Sequence, residues 1–343
     1  MSNPRPLQSF LGGLGLSLPV HALLLLNGSI FGISGFLHRA VHLGGSEARA
    51  STLGLLFGGM FVGMLEGAGP QPFPLAPSRL LLSGFLVGVG SKMANGCTSG
   101  HMIAGISRFS LRSITATAAF FSAGIITARL LHGDFLPAPS PDWALGATGK
   151  ALLAFQAIPF IISTLLYIFV RSRFIKRTRS TFQQLSQAPS KPEDTVTKGQ
   201  PSHPMLRLVA SLSTSFEFAL ALRLSNLTEP IRVISFLLLP SHEAFDPSLA
   251  FLALGALPLA IFLYQFARGS EQPRLGGNWS VPKGGQVDTK LIIGATLFGI
   301  GWGLSGLCPG PGIVNLGRAL TGASNPVPML GWLAAVVGGG YLV

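Results

Sequence analysis

The chain has 343 residues, of which 10% are charged, 48% are apolar and 44 are glycine. A soluble domain needs about a quarter charged residues to make its surface. This composition therefore excludes an ordinary soluble protein and fits lipid-facing helices, which need no charge and tolerate glycine. The net charge of +12 does not point to nucleic acid, because many basic residues crowd into Arg171-Ser-Arg-Phe-Ile-Lys-Arg-Thr-Arg179. Beside an apolar segment, such a run marks a cytoplasmic loop facing anionic headgroups.

Segments long enough to cross about 30 Å of hydrocarbon run 17–37, 51–68, 80–96, 113–132, 150–170, 206–224, 249–268, 290–306 and 327–343. The expectation is an all-α polytopic membrane protein of about nine transmembrane helices. The first segment continues through Gly28 and Phe31 towards Leu37 without a cleavage site, and so reads as a span rather than a signal peptide. Shorter apolar pieces at 102–109, 231–240 and 311–320 read as re-entrant half-helices or interfacial segments. Residues 171–205 are rich in Arg, Lys, Ser, Pro, Gln and Thr and read as a disordered polar linker. The expected layout is an N-terminal transmembrane half (1–170), a basic cytoplasmic linker (171–205) and a C-terminal transmembrane half (206–343).

Orientation follows the Lys/Arg bias. With the linker inside, Arg39, Arg49, Arg108, Arg112, Arg268, Arg274, Lys283 and Lys290 fall inside, and the mixed 129–150 loop falls outside. The N-terminus is then expected outside and the C-terminus inside.

Two stretches match when aligned on the only cysteines in the chain. Gly88-Val-Gly90 precedes Cys97 by six intervening residues, and Gly299-Ile-Gly301 precedes Cys308 by the same six. On the derived topology these spans run in opposite senses, which predicts two inverted pseudo-repeats with a site at their interface. The cysteines sit in Gly96-Cys97-Thr98-Ser99-Gly100-His101 and Cys308-Pro309-Gly310-Pro311-Gly312. Proline and glycine end helices, and a helix can break within a membrane only where the freed backbone is buried in protein or lines a wet cavity. New half-helices would begin there, and their N-termini favour anions. A thiol is soft, with a weak S–H donor, suited to the sulfur atom of a weakly hydrated anion. Lys92, Arg108 and Arg112 could raise the local anion concentration. Glu66 reads as interfacial, while Glu217 and Arg223 must face inward or lie near helix ends. Neither a cofactor nor a metal is indicated.

The stretch Gly84-Phe-Leu-Val-Gly-Val-Gly-Ser-Lys-Met-Ala-Asn-Gly-Cys97-Thr-Ser-Gly-His101, continuing through Gly105-Ile-Ser-Arg-Phe-Ser-Leu-Arg-Ser113, resembles the YeeE/YedE sulphur transport membrane proteins. So do Leu222-Arg-Leu-Ser-Asn-Leu-Thr-Glu-Pro230, Arg232-Val-Ile-Ser-Phe-Leu237, Asp246-Pro-Ser-Leu249 and the run Gly299 to Asn315. The resemblance covers most of the chain outside the linker and tails, as if two smaller proteins were fused. It implies an hourglass of helices and thiosulfate uptake across the plasma membrane, with a cytoplasmic sulfur-carrier protein as partner. It also implies that cysteines at the constriction pass the anion along through S–H···S hydrogen bonds. By position Cys97 and Cys308 would be two such thiols, with Gly96, Thr98, Ser99, Gly100, His101, Pro309, Gly310 and Lys92 around the substrate. Some members carry a further cysteine in the first membrane segment, where this chain reads Asn27-Gly-Ser-Ile-Phe-Gly-Ile-Ser-Gly35; Ser29 or Ser34 would have to donate there instead.

Three alternatives stay open at this point: a membrane-embedded, thiol-dependent sulfurtransferase using His101 or Lys92, a non-transporting membrane scaffold or sensor, and transport of a selenium compound. An enzyme would need an activated thiolate beside a base or cation, and the sequence presents no Cys-His-Asp style set. An ATP-driven pump is disfavoured because no Gly-x-x-x-x-Gly-Lys-Ser/Thr loop occurs.

Overall fold

The computed structural model describes residues 3–42, 44–72, 75–185, 203–269, 271–282, 284–322 and 324–343, and contains no strand among them. The helices are α1 (Pro6–Asn27), α2 (Ile33–Val41), α3 (Ser46–Glu66), α4 (Pro77–Met93), a π-helical turn (Ser99–Ile103) leading into α5 (Ala104–Ile106), α6 (Leu111–Leu131) and α7 (Gly146–Leu185). The chain continues with α8 (Pro204–Leu224), α9 (Pro230–Leu237), α10 (Ser248–Ala267), α11 (Thr289–Ser305), α12 (Pro309–Thr321) and α13 (Val327–Tyr341). Six of these (α1, α4, α8, α9, α12 and α13) have proline in the first turn, where its missing N–H costs nothing.

Among the described residues, seven helical stretches are long and apolar enough to cross a bilayer: α1, α3, α6, Gly146–Phe169 of α7, α8, α10 and Thr289–Thr321, the last holding both α11 and α12. The two further spans read from the sequence correspond to α4, with 17 residues, and α13, with 15. At 1.5 Å per residue these reach only about 25 Å and 22 Å. Two sequence readings need correction. The first span is Pro6–Asn27 and does not run on to Leu37: Gly28 takes a left-handed φ of 68° and closes the helix, and a separate short α2 follows. Residues 171–185, read as linker, continue α7 as helix, because an amphipathic or basic run can propagate a helix already nucleated by an apolar one. Residues 186–202 and Lys283 lie outside the described residues.

Polar contacts sort the helix ends into two faces. At the end where α7 leaves and α8 begins, Asn27 Nδ2 donates to the Arg207 carbonyl at 3.0 Å, and Arg207 pairs with Glu47 at 2.7 Å. The Gln265 amide donates to the Ser107 carbonyl, and Arg108 and Arg112 donate to the carbonyls of Pro282 and Gln286. At the opposite end Glu66 accepts from Arg223 and from Arg318, and Arg5 lies beside Asp142.

The two Gly-x-Gly motifs hold equivalent places in the packing. Gly88 of α4 lies against the Val336 backbone of α13, and Gly299 of α11 lies against the Phe120 backbone of α6. Gly90 and Gly301 bring α4 and α11 directly together, Gly90 against Phe298 and Gly301 against Ser83. Small residues allow such backbone contact, the usual cohesion between helices in lipid. The pairing continues elsewhere: α1 packs on α10 while α3 packs on α8.

Candidate functional site

Helix breaks deliver the site residues. After α4 the chain turns at Asn95, in left-handed backbone, and Gly96, then enters the π-helical turn at Cys97–Ser99. After α11 it turns at Gly306 (φ 65°), and Cys308 becomes the N-cap residue of α12. Cys97 and Cys308 are both free and buried, 2% and 4% exposed, and both line one cavity of about 60 Å³. The Thr98 hydroxyl donates to Cys308 Sγ at 3.7 Å. The Ser99 hydroxyl lies 3.4 Å from Cys97 Sγ and accepts from the Ile33 amide at 3.3 Å. With one proton and two lone pairs, Ser99 can hold the Ile33 amide and still either donate to the Cys97 sulfur or accept from its S–H.

Three helix beginnings therefore converge: α2 at Ile33, the π-helical turn at Ser99 and α12 at Pro309. Their helix dipoles aim positive potential at the cavity, although the Ile33 amide is already given to Ser99 and Pro309 and Pro311 carry no N–H. The remaining wall is apolar, built from Leu16, Met102, Phe121, Phe218, Leu222, Phe236 and Trp302. Such a wall penalises an anion that must keep its hydration shell and favours one with a soft, weakly hydrated end. Among the described residues no group of three His, Cys, Asp or Glu side chains is placed to hold a metal ion.

The other expected site residues lie elsewhere. Thr98, Ser99 and Gly310 line the small cavity, and Pro309 is buried beside it as the first residue of α12. Gly96, Gly100, His101 and Lys92 instead line a larger vestibule of about 680 Å³ at the linker end. Lys92 is exposed there, one face removed from the thiols. His101 is held by its neighbours: Nε2 lies 3.2 Å from the Ala94 carbonyl, so it carries the proton and donates, and Nδ1 accepts from Ser113 at 3.2 Å. Ser29 and Ser34 also line the vestibule, and the residue α2 sends to the thiol cavity is Ile33.

The vestibule is positive. Arg39, Lys92, Arg108 and Arg112 line it and, among the described residues, no acidic side chain does. Asp288 stands just outside, 3.5 Å from Arg112. Its carboxylate accepts the Leu291 amide at 2.8 Å as the N-cap of α11, which together with Arg112 holds it below the usual carboxylate range. Arg39 was legible only as a topology marker, and the aromatic wall was not legible at all, since it comes from α6, α8, α9 and α11. At the opposite end, Glu66, Arg223, Glu229, Arg232, Asp246 and Arg318 form a linked ion network. Glu66, at the end of α3, is thus the shared partner of two arginines.

Comparison with known proteins agrees with this architecture. Residues 8–127 match the family described as "Sulphur transport", and residues 206–342 match a "Family of unknown function (DUF6691)". A protein named "Probable transporter" from Xylella fastidiosa (strain 9a5c) is 36% identical over 137 residues, spanning 40% of this chain and 89% of its own length. A second from that strain, also named "Probable transporter", is 43% identical over 124 residues, 35% of this chain and 91% of its own length. One from strain Temecula1 / ATCC 700964 with the same name is 37% identical over 115 residues, 34% of this chain and 77% of its own length. No solved structure matches. The chain is a multi-pass membrane transporter that belongs to the sulphur transport (YeeE/YedE) family, with a second family segment following in the same polypeptide.

Proposed function

We propose that the chain takes up thiosulfate through the cavity between Cys97 and Cys308. The observation that carries this reading is that two cysteines from separate broken helices line one small, otherwise apolar cavity. An anion entering between three helix N-termini is attracted by their dipoles, while its terminal sulfur can accept from the thiols. Thr98 supplies its hydroxyl to the Cys308 sulfur, which leaves that S–H proton available to the passing ion. Contacts of this kind are individually weak, and conduction needs binding loose enough to permit exit.

The two halves, 1–170 and 206–343, act in this reading as inverted repeats forming an hourglass whose waist is the thiol cavity. The N-terminus lies outside, and the linker and C-terminus lie in the cytoplasm. The positive vestibule then opens inward, where Arg39, Lys92, Arg108 and Arg112 draw the anion off the waist, towards a cytoplasmic sulfur carrier. A membrane-embedded sulfurtransferase is the competing reading, but Cys308 has hydroxyl and backbone neighbours rather than a base.

Growth rescue of thiosulfate-dependent cells lacking their own uptake system tests the proposal. Wild type should rescue, and Cys97→Ala and Cys308→Ala at matched expression should not. Rescue by both variants equal to wild type would defeat the thiol site, and failure of wild type would count against thiosulfate. In vesicles Cys→Ser variants should retain partial flux, whereas a persulfide-forming enzyme would be inactive.

A further inference from the structure

Glu217 lies in α8, seven residues from Leu224 and thirteen from Pro204, so about 10 Å and 20 Å from the two helix ends. It is 1% exposed, and neither carboxylate oxygen has a hydrogen-bond partner. Among the described residues, no cation faces it from the helices packed on α8. In α1, Arg5 reaches Gln8 and Asp142 while His21 is turned to the Ala267 carbonyl. In α3, Glu47 and Glu66 are already paired and Arg49 sits in the first turn, at the linker end. In α7, Lys150 is exposed near the helix start and Tyr167 meets Arg274. Arg318 of α12 is on Glu66, and the arginines of α8 itself are on Glu47, Glu66 and Glu229. An ionised carboxylate alone in such surroundings is too costly to persist, so the group holds a proton.

Unpartnered polar groups lie buried on α7, which packs against α8. Gln156 of α7 reaches Gly15 of α1 beside Ala221, one turn along α8 from Glu217. The Gln156 amide nitrogen and the Ser163 hydroxyl on the same stripe of α7 are buried without partners. The residue after Glu217 is Phe218, which lines the thiol cavity and stacks on Phe31 at 4.5 Å. Movement of α8 at the waist therefore moves the carboxyl.

We propose that Glu217 is a proton-carrying site that couples anion uptake to inward proton movement. The inference rests on the chain acting as an anion transporter. In each cycle the carboxyl O–H bond breaks as the proton passes to water on the cytoplasmic side, and water on the other side restores it. Entry of a dianion with protons moves less negative charge against an inside-negative potential than entry of the dianion alone.

The test uses the full chain in proteoliposomes, with membrane potential clamped and thiosulfate as the probe. An inward proton gradient of one pH unit should raise wild-type accumulation by about tenfold per coupled proton, and an internal pH dye should report acidification on thiosulfate addition. Glu217→Gln, which copies the neutral acid, should keep downhill flux and lose both responses. Acceleration by a sodium gradient alone, or a Glu217→Gln variant that still accumulates with the proton gradient, would overturn the proposal. Infrared difference spectra of the resting proteins separate its failure from that of the transport reading. The carbonyl stretch of a protonated carboxyl at neutral pH should be present in wild type and missing in Glu217→Gln, whatever the substrate, and its absence from wild type would sink the idea.

Discussion

Thr98 and Cys308 meet across the centre of the molecule: the hydroxyl of one donates to the sulfur of the other at 3.7 Å. One follows the break after α4 and the other the break after α11, so this contact ties the two family segments together at the cavity. Replacing Thr98 by Val removes the donor while keeping the shape. The bond is worth about 1 kcal/mol, so thiosulfate flux should fall about fivefold, with Thr98→Ser close to wild type. Equal flux in Thr98→Val and wild type would show that the hydroxyl does not orient the thiol.

Gly310 has no room for a side chain. A Cβ there would lie 2.7 Å from Ile33 Cδ1 and 3.3 Å from Leu222 Cδ1, both of which line the cavity. Gly310→Ala should cost about 1–3 kcal/mol through overpacking and should narrow the passage. The expected result is a folded, expressed protein with flux several-fold below wild type, measured in vesicles at matched protein content.

Glu66 joins Arg223 at the end of α8 and Arg318 at the end of α12, and both arginines are largely buried. Glu66→Gln leaves two buried cations short of a counter-charge. Loss of one member of a buried pair costs about 3–5 kcal/mol, which thermal unfolding in detergent would register. Double replacement of Glu66 and Arg318 by neutral residues should recover part of the loss.

Glu229, in the loop before α9, gives a pH dependence. Burial alone would raise its carboxyl, but Arg223 and Arg232 outweigh burial and hold it below the usual range. A carboxyl lowered on folding contributes stability above its unfolded value, near 4.5, and loses it as pH falls through the lower folded value. Melting temperature should therefore be insensitive to this group at neutral pH and drop in acid below that range. Glu229→Gln should flatten that part of the profile.

Lys92 stands exposed in the vestibule with Arg39, Arg108 and Arg112. Arg108 and Arg112 are anchored to backbone carbonyls and Arg39 lies over the Phe36 ring. Lys92→Gln should lower flux a few-fold at low ionic strength and much less at high salt, because exposed charges act over about 10 Å at 0.1 M. A salt-independent defect would point to a structural role.

Composition alone determined that this chain lives in a membrane, because 10% charged residues cannot clothe a soluble surface. Local chemistry determined where helices break: glycine and proline beside Cys97 and Cys308 end α4 and α11 whatever surrounds them. The spacing of Gly88, Gly90, Gly299 and Gly301 made the repeat legible, since backbone contact needs small residues at regular places. Only the tertiary structure decided which groups share a space. Lys92, five residues from Cys97, faces the vestibule, whereas Phe121, Phe236 and Trp302 from distant helices close around the thiols. The same holds for Glu66 and Glu217, two carboxylates at helical positions that the sequence could not tell apart in partnership. One meets two arginines and the other meets none, because partnership depends on how helices pack, and packing brings together residues that no local pattern links.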